Sequence, residues 1–523
     1  MQVGTALCTV YAVHMTFTTT ETRSALGALA DIIMPHLAGQ AVSIPTGLAH
    51  MSSAHDAELV GHPLASVLFP YQRAGVAYAL KARRAMIGHG MGLGKTIQAI
   101  ATLMASDSYP AVVVVPPNLA LNWVREFAKW APSITTARLT GQTPGSIPDV
   151  DVLIIGDSVV AHWADTIIAH GPRALVIDES QRMKNRSAKR TKAVLEISRK
   201  LPADAIVLAL TGTAVKANHG ELLPQIEILG VTDLFGGTFE YLNRYYPKVG
   251  RFDRENRNGL ELFNRMSDSF YARLQFEDVA YQMGDAAPQG VIRVPLAVEL
   301  EGKAGRDYTK ARDNLRSYLI ETRGERAANS AMRAEALAQL GVLRQLIGLA
   351  KVIPTAAHVR NLVEDGEQVI VFAWHRAVVD ELVEAISAFT TVGKVYGSMK
   401  VENVEAAKER FQAGTDRVIV LNIEAGSVGH TLTAAANVVF CEYAWSPSDM
   451  QQAEARSNRI GQTRKVVSHW LMGANGVQTI DERLVEILND KALITGTLLD
   501  GKGETMVDSD SITDALLDWA ENG

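Results

Sequence analysis

The chain has little of what several protein classes require. Only two of its residues are cysteine, Cys8 and Cys441, too few for a disulfide framework or a cysteine-based cluster, so zinc is not indicated and a reducing compartment is expected. No apolar run approaches the roughly 18 residues of a membrane-spanning helix, and the N-terminus lacks the basic start of a secretory signal. The expectation is a soluble cytoplasmic protein with no membrane partner. Aromatic residues make up 6% of the chain and no zinc finger is present, so sequence-specific base reading is not expected. An excess of positive charge is also missing. A net charge of −6 argues against a surface that binds polyanions everywhere and leaves any such site to a local patch.

What is present reads as packed α/β structure. Short continuous apolar runs, Ala111–Val115, Val152–Ile155, Ala174–Ile177 and Ala205–Leu210, alternate with helical patterns, and so do Val369–Ala373, Val418–Leu421, Val438–Cys441 and Val467–Leu471. Such runs predict parallel strands buried on both faces. The expected organisation is an N-terminal extension of unassigned role (1–62), a first α/β lobe (63–285), a helical bridge (286–350), a second α/β lobe (351–488) and an acidic C-terminal tail (489–523), within which Ser511–Ala520 reads as a short amphipathic helix.

Chemistry concentrates in five places. Residues 85–100 form an apolar lead-in, a glycine-rich turn and a helix start, the layout of a phosphate-binding loop. Gly92 and Gly94 permit positive φ and let backbone N–H groups face phosphate oxygens; Lys95 would reach the β- and γ-phosphates of ATP, and the Thr96 hydroxyl would bind Mg²⁺. Asp178-Glu179 ends an apolar strand, where open α/β sheets bind ligands, so Asp178 is assigned to the metal and Glu179 to activation of water. Thr211-Gly-Thr213 follows the next strand and would hydrogen-bond toward that carboxylate site, an ordinary Thr-Gly turn being the alternative. Far downstream, Arg456 and Arg459 are three apart, hence on one helical face, and would stabilise γ-phosphate charge if the lobes face each other. Gln72, near the start of a Pro-initiated helix, has an amide able to read the adenine edge; a solvated surface glutamine is the plainer reading.

Together these segments resemble a Swi/Snf-type motor of helicase superfamily two, from about Leu68 to about Leu488. Tyr71-Gln72-Arg-Ala-Gly75 is similar to the family's adenine-recognition motif, and Met91-Gly-Leu-Gly-Lys-Thr-Ile-Gln98 to its phosphate loop. Val115–Trp123 with Glu126 and Trp130, Asp178–Asn185, Thr211–Thr213, Val371–Ala373, Ala425–Leu432 (which contains Gly429), Trp445–Pro447 and Gln452–Gln462 follow in the family's order. The resemblance implies two tandem RecA-like lobes around an ATP·Mg²⁺ cleft, with Gly429 among the nucleotide-binding residues, and DNA, double-stranded or forked, as a partner that is not read by sequence; the sequence leaves protein partners open. The opening Phe-Pro-Tyr-Gln-Arg-Ala-Gly and the Asp-Glu-Ser segment look most like the annealing-helicase branch. Departures from the pattern are His89-Gly90 in place of Asp-Glu, Gln181 in place of histidine, Ala214 in place of proline, Ser446 in place of asparagine and Ala455 in place of aspartate.

The expected function is an ATP-dependent DNA translocase. Gln181 and Ala455 motivate an alternative, a nucleotide-gated DNA-binding scaffold with weak turnover; a strand-separating RNA or DNA helicase is a third. For the DNA patch, residues 181–200 carry eight Lys or Arg against one acid; a solvated helix face is the competing reading. Residues 301–345 are read as a salt-bridged helical bridge.

Overall fold

The apolar runs become two all-parallel sheets. The computed structural model describes residues 46–215, 218–249, 254–300, 302–322, 330–397, 399–423, 431–474, 476, 478–488 and 509–522. In the first lobe seven strands, β1 (Arg84–Ile87), β2 (Ala111–Val115), β3 (Thr136–Leu139), β4 (Val152–Gly156), β5 (Ala174–Asp178), β6 (Ile206–Leu210) and β7 (Tyr271–Ala272), lie in the order β3-β4-β2-β5-β6-β1-β7. In the second, six strands, β8 (Val291–Glu299), β9 (Val369–Ala373), β10 (Val392–Val395), β11 (Val418–Asn422), β12 (Asn437–Phe440) and β13 (Val466–Ala474), lie in the order β10-β11-β9-β12-β13-β8. Most inner strands are buried along nearly their whole length, β2 and β4 at every residue, because helices cover both faces.

Four helices of the first lobe matter for the site: α1 (Pro70–Ala82), α2 (Lys95–Ser106), α3 (Ala120–Trp130) and α4 (Lys189–Lys200). Proline opens α1, where its missing N–H costs nothing. The side chains of α2 and α3 pack with one face of the first sheet, Ile100, Leu103, Trp123 and Phe127 against Val113 and Ile154. Val194 and Ile197 of α4 sit in the core on the other face.

The stretch expected to bridge the lobes belongs to the second one. β8 runs alongside β13 in register from Val291↔Val466 to Glu299↔Ala474, so the second lobe begins near 291. Its alternating half-buried and exposed pattern is that of an edge strand, without the continuous apolar run that marks an interior one. A helical hairpin follows, α5 (Gly302–Glu321) and α6 (Ser330–Ala350), whose Tyr308, Leu315, Leu319, Leu340, Leu343 and Ile347 enter the second core with Phe372 and Phe440. Two more helices there are α7 (Val401–Gln412) and α8 (Pro447–Glu454). The last described element, α9 (Ser509–Asn522), packs Leu516, Leu517 and Ala520 into that core. Of the N-terminal extension only 46–62 is described, with a short helix at Ala49–Ser52. Among the described residues no single helix is long and apolar enough to cross a membrane.

Candidate active site

The phosphate-loop geometry starts from two glycines. Gly92 and Gly94 have φ of 78° and 72°, values that a side chain would strain. A Cβ on Gly94 would also meet Gln72 Nε2 at 2.4 Å. Three side chains converge on the Leu93 carbonyl: Tyr71 Oη at 3.1 Å, Gln72 Nε2 at 3.3 Å and Gln98 Nε2 at 3.1 Å. The loop is thereby clamped between α1 and α2. His89, at the loop's entrance, is buried; its Nδ1 accepts the Leu274 N–H at 3.1 Å, and burial, aided by the Lys95 and Arg273 charges, pulls its pKa down to about 3, so it is neutral.

Gln72 is not poised as the sequence suggested. Its Oε1 accepts from the Phe69 N–H at 3.0 Å and its Nε2 donates to Leu93 O and to Tyr71 Oη. Both amide donors are occupied inside the protein, so the side chain positions the loop and has no donor left for a base edge. It does line the cleft.

Lys95 donates from Nζ to His89 O at 2.9 Å and Gly90 O at 3.1 Å. Burial lowers its pKa to about 8, against the opposing pull of Glu179 and Asp178. Asp178 ends β5, where burial and then the neighbouring Glu179 charge push its carboxyl upward while the Trp123 indole N–H, 2.8 Å from Oδ2, acts against that shift. Glu179 sits at φ 51°, an uncommon conformation that turns its side chain off the strand direction. Its Oε2 accepts from Gln181 Nε2 at 2.6 Å, Gln181 Oε1 accepts from Thr211 Oγ1 at 2.8 Å, and Thr211 Oγ1 accepts from the Thr213 N–H at 2.9 Å. Thr211 therefore reaches the carboxylate through Gln181, not directly.

The second lobe supplies the opposite wall. Lys95, Thr96, Asp178, Glu179, Gly92 and Gly94 from one lobe and Gln452, Ala455, Arg456 and Arg459 from the other line a single cleft of about 450 Å³. The arginines are not on a helical face, as their spacing suggested: α8 ends at Glu454 and both lie in the turns that follow. Side-chain bonds to backbone fix those turns, Ser457 Oγ to Ala435 O and Gln462 Nε2 to Thr433 O at 3.0 Å and Ala435 O at 2.8 Å, and such local pairing replaces the helical ladder. Arg456 is 3% exposed, and burial, followed by the Arg459 charge, lowers its pKa to about 9. Arg459 Nε donates to Ala455 O at 2.8 Å and Nη1 to Thr431 Oγ1 at 3.0 Å. Both guanidinium groups feel the Glu179 and Asp178 charges. A Cβ on Gly92 would come to 3.8 Å from Arg459 Cγ, so the lobes meet at the phosphate loop itself. Gly429 lies outside the described residues.

Two contributors carried no signal of their role in sequence. Trp123 acts through a partner 55 positions away, and Arg273 Nη1 ties Gly88 O (2.6 Å) to Gly212 O (2.8 Å). The donor set suits a magnesium nucleotide. Among the described residues no three His, Cys, Asp or Glu side chains gather to hold a metal alone, whereas one crowded carboxylate and one hydroxyl leave the remaining ligands to phosphate and water, the usual arrangement for Mg²⁺.

Half of the basic stretch after Glu179 is engaged in ion pairs. Arg182 and Arg190 pair with Asp157, Lys184 with Glu221 at 2.9 Å and Arg186 with Glu227 at 2.7 Å. The acids come from the turn after β4 and from the segment 219–229, so sequence-local charge counting overstated the patch.

Two parallel-sheet lobes sharing a cleft with a lysine loop, a carboxylate pair and two arginines define a helicase-type nucleotide-binding core. The SNF2-related domain family matches residues 71–301 and the helicase conserved C-terminal domain family residues 352–461. The chain therefore carries an SNF2-related domain followed by a helicase conserved C-terminal domain. It is 31% identical over 468 residues to the Mus musculus DNA annealing helicase and endonuclease ZRANB3, covering 85% of this chain and 42% of that protein. It is 28% identical over 457 residues to the Xenopus tropicalis SWI/SNF-related matrix-associated actin-dependent regulator of chromatin subfamily A-like protein 1, covering 84% and 46%. The chain thus spans less than half the length of these relatives. Among solved structures it is similar to the Sulfolobus solfataricus SWI2/SNF2 ATPase core in complex with dsDNA, with 23% identity, 83% and 93% coverage and a TM-score of 0.39.

Proposed function

We propose that the chain hydrolyses ATP in this cleft and uses the cycle to move along or remodel duplex or branched DNA. The observation that carries the reading is the junction itself: Lys95, Asp178 and Glu179 face Arg456 and Arg459 across one cavity, so a bound nucleotide would hold the two lobes together. Lys95 and the loop amides bind the phosphates. Thr96 and Asp178 would hold Mg²⁺, which supplies charge neutralisation on the β- and γ-phosphates when bound. Glu179, held by Gln181, orients and deprotonates the attacking water, and the arginines stabilise charge developing on the transferred phosphoryl group. Because the second lobe carries the arginines, each hydrolysis removes a reason for the lobes to stay closed, and that closure is the source of movement.

The link Glu179–Gln181–Thr211 favours coupled turnover over a weakly active scaffold, since the position that departs from the family pattern still joins the base to the next strand end. The printed name of the mouse relative, an annealing helicase, makes forked DNA the preferred substrate to test. ATPase rate measured with double-stranded, single-stranded and forked DNA and with RNA, with Lys95→Ala as the blank, checks the proposal: stimulation by duplex or forked DNA is expected, and failure of every DNA to stimulate overturns it.

A further inference from the structure

Ion pairing divides the two basic stretches unevenly. Four of the eight bases in the stretch 181–200, Arg182, Lys184, Arg186 and Arg190, pair with Asp157, Glu221 and Glu227. In α5, by contrast, the ion pair among the described residues is Arg312–Asp313 at 3.2 Å. Lys303, Arg306 and Lys310 are exposed, and at i, i+3 and i+7 they form one stripe. They occupy the first turns of the helix, with no acid in the first turn, although the helix dipole disfavours positive charge at that end. A solvated helix selected for stability alone would carry acids there. Asp307 and Asp313 flank the stripe, but Asp313 is engaged by Arg312.

Shape and position add to charge. Arg306 and Lys310 border an open groove of about 500 Å³ with Thr309, Asn314, Leu300 and Asp313, the last drawn toward Arg312 at 3.2 Å. Gly305 makes the groove's floor, because a Cβ there would meet Leu300 O at 2.3 Å, so the helix starts hard against the end of β8. That end is the carboxyl edge of the second sheet, the edge at which parallel sheets present ligand sites.

We infer that the Lys303–Arg306–Lys310 face of α5 is a contact surface for the phosphate backbone of DNA, separate from the cleft and from the basic stretch that follows Glu179. This rests on the DNA reading proposed above. Three bases meeting phosphates release about three counterions, so the slope of log affinity against log salt carries their signature. Sequence preference is not expected, because contacts from Lys and Arg to phosphate carry no sequence information.

The test is the triple variant Lys303→Glu, Arg306→Glu, Lys310→Glu in the full chain, with a fluorescent duplex of mixed sequence titrated at several NaCl concentrations and polyglutamate as a second probe. All three side chains are exposed, so ATPase without DNA and the thermal midpoint serve as controls for folding and are expected to hold. The expected result is DNA affinity at least tenfold weaker and a salt slope reduced by about 2 to 3. Unchanged affinity and slope in the variant, with wild-type ATPase still stimulated by DNA, overturns the surface and leaves the motor reading standing. Loss of polyglutamate binding with DNA binding intact assigns the face to an acidic protein and also overturns the inference. Wild-type protein that neither binds nor responds to DNA removes the motor reading and this surface together.

Discussion

Lys95 balances two demands. It must carry charge to attract phosphate, yet burial has drawn its pKa down to about 8. Below that value the ammonium is charged before nucleotide arrives; above it the nucleotide-free group is neutral, and binding must recruit a proton. Nucleotide affinity is therefore expected to be flat up to pH 8 and to fall by up to about tenfold per unit above it, with proton uptake on binding. Calorimetry in buffers of different ionisation enthalpy checks this, and affinity that stays constant to pH 9.5 would contradict it. Gln181 is the second residue on which the account turns. Replacing it by leucine removes the bond to Glu179 and strands the Thr211 hydroxyl, so kcat on DNA should drop by about 10- to 100-fold with KM for ATP within a few-fold. A change confined to KM would mean that Gln181 serves binding and not the base. The residue types Lys95, Asp178 and Glu179 were legible because each sits at a strand or loop end whose chemistry is fixed by neighbours in sequence. Gln72, Trp123 and Arg273 were not, because their partners lie across the fold: Gln72 looks free in sequence and is committed to Leu93 only once α1 packs on α2.

At the scale of elements, burial on both faces made the inner strands readable. β2, β5, β6, β9 and β12 are continuous apolar runs and fall where the sequence placed them. Edge strands lack that mark: β3 has one buried residue in four, β7 is two residues long, β10 alternates, and β8 looks polar enough to pass for a linker. The arginine turns were misread for a related reason. A helical spacing persists in the sequence past Glu454, but Ser457 and Gln462 draw the backbone toward residues 433–435 instead. The acidic C-terminal segment yields a stability prediction. Leu516 is fully buried in the second core, so Leu516→Ala should cost about 2 to 5 kcal/mol and lower the denaturation midpoint. The loss should appear in the transition of the second lobe, and a midpoint unchanged within error would mean that α9 does not dock in solution.

At the scale of the whole molecule, three kinds of contact join the lobes among the described residues. Ile460 enters the apolar cluster of Tyr71, Leu93 and Leu274, Arg459 lies against Gly92, and Arg125 of α3 pairs with Glu405 and, at 3.9 Å, with Glu409 of α7. The Arg125 side chain is half exposed, so the ion pair is a weak latch, worth at most about 1 kcal/mol. Arg125→Glu should shift the lobes toward opening by a factor of about 2 to 5, Glu405→Arg in the same chain should restore the balance, and both effects should fade in high salt. Interlobe energy transfer reads this directly, and a swap that fails to restore closure would dismiss the latch. The central claim is that one active site is divided between two lobes. Single-turnover ATP hydrolysis on duplex DNA, comparing wild type with Arg456→Ala, tests it most directly. The account predicts nucleotide binding within a few-fold of wild type and a hydrolysis step slower by about 10³-fold or more; hydrolysis at the wild-type rate would show that the second lobe does not complete the site.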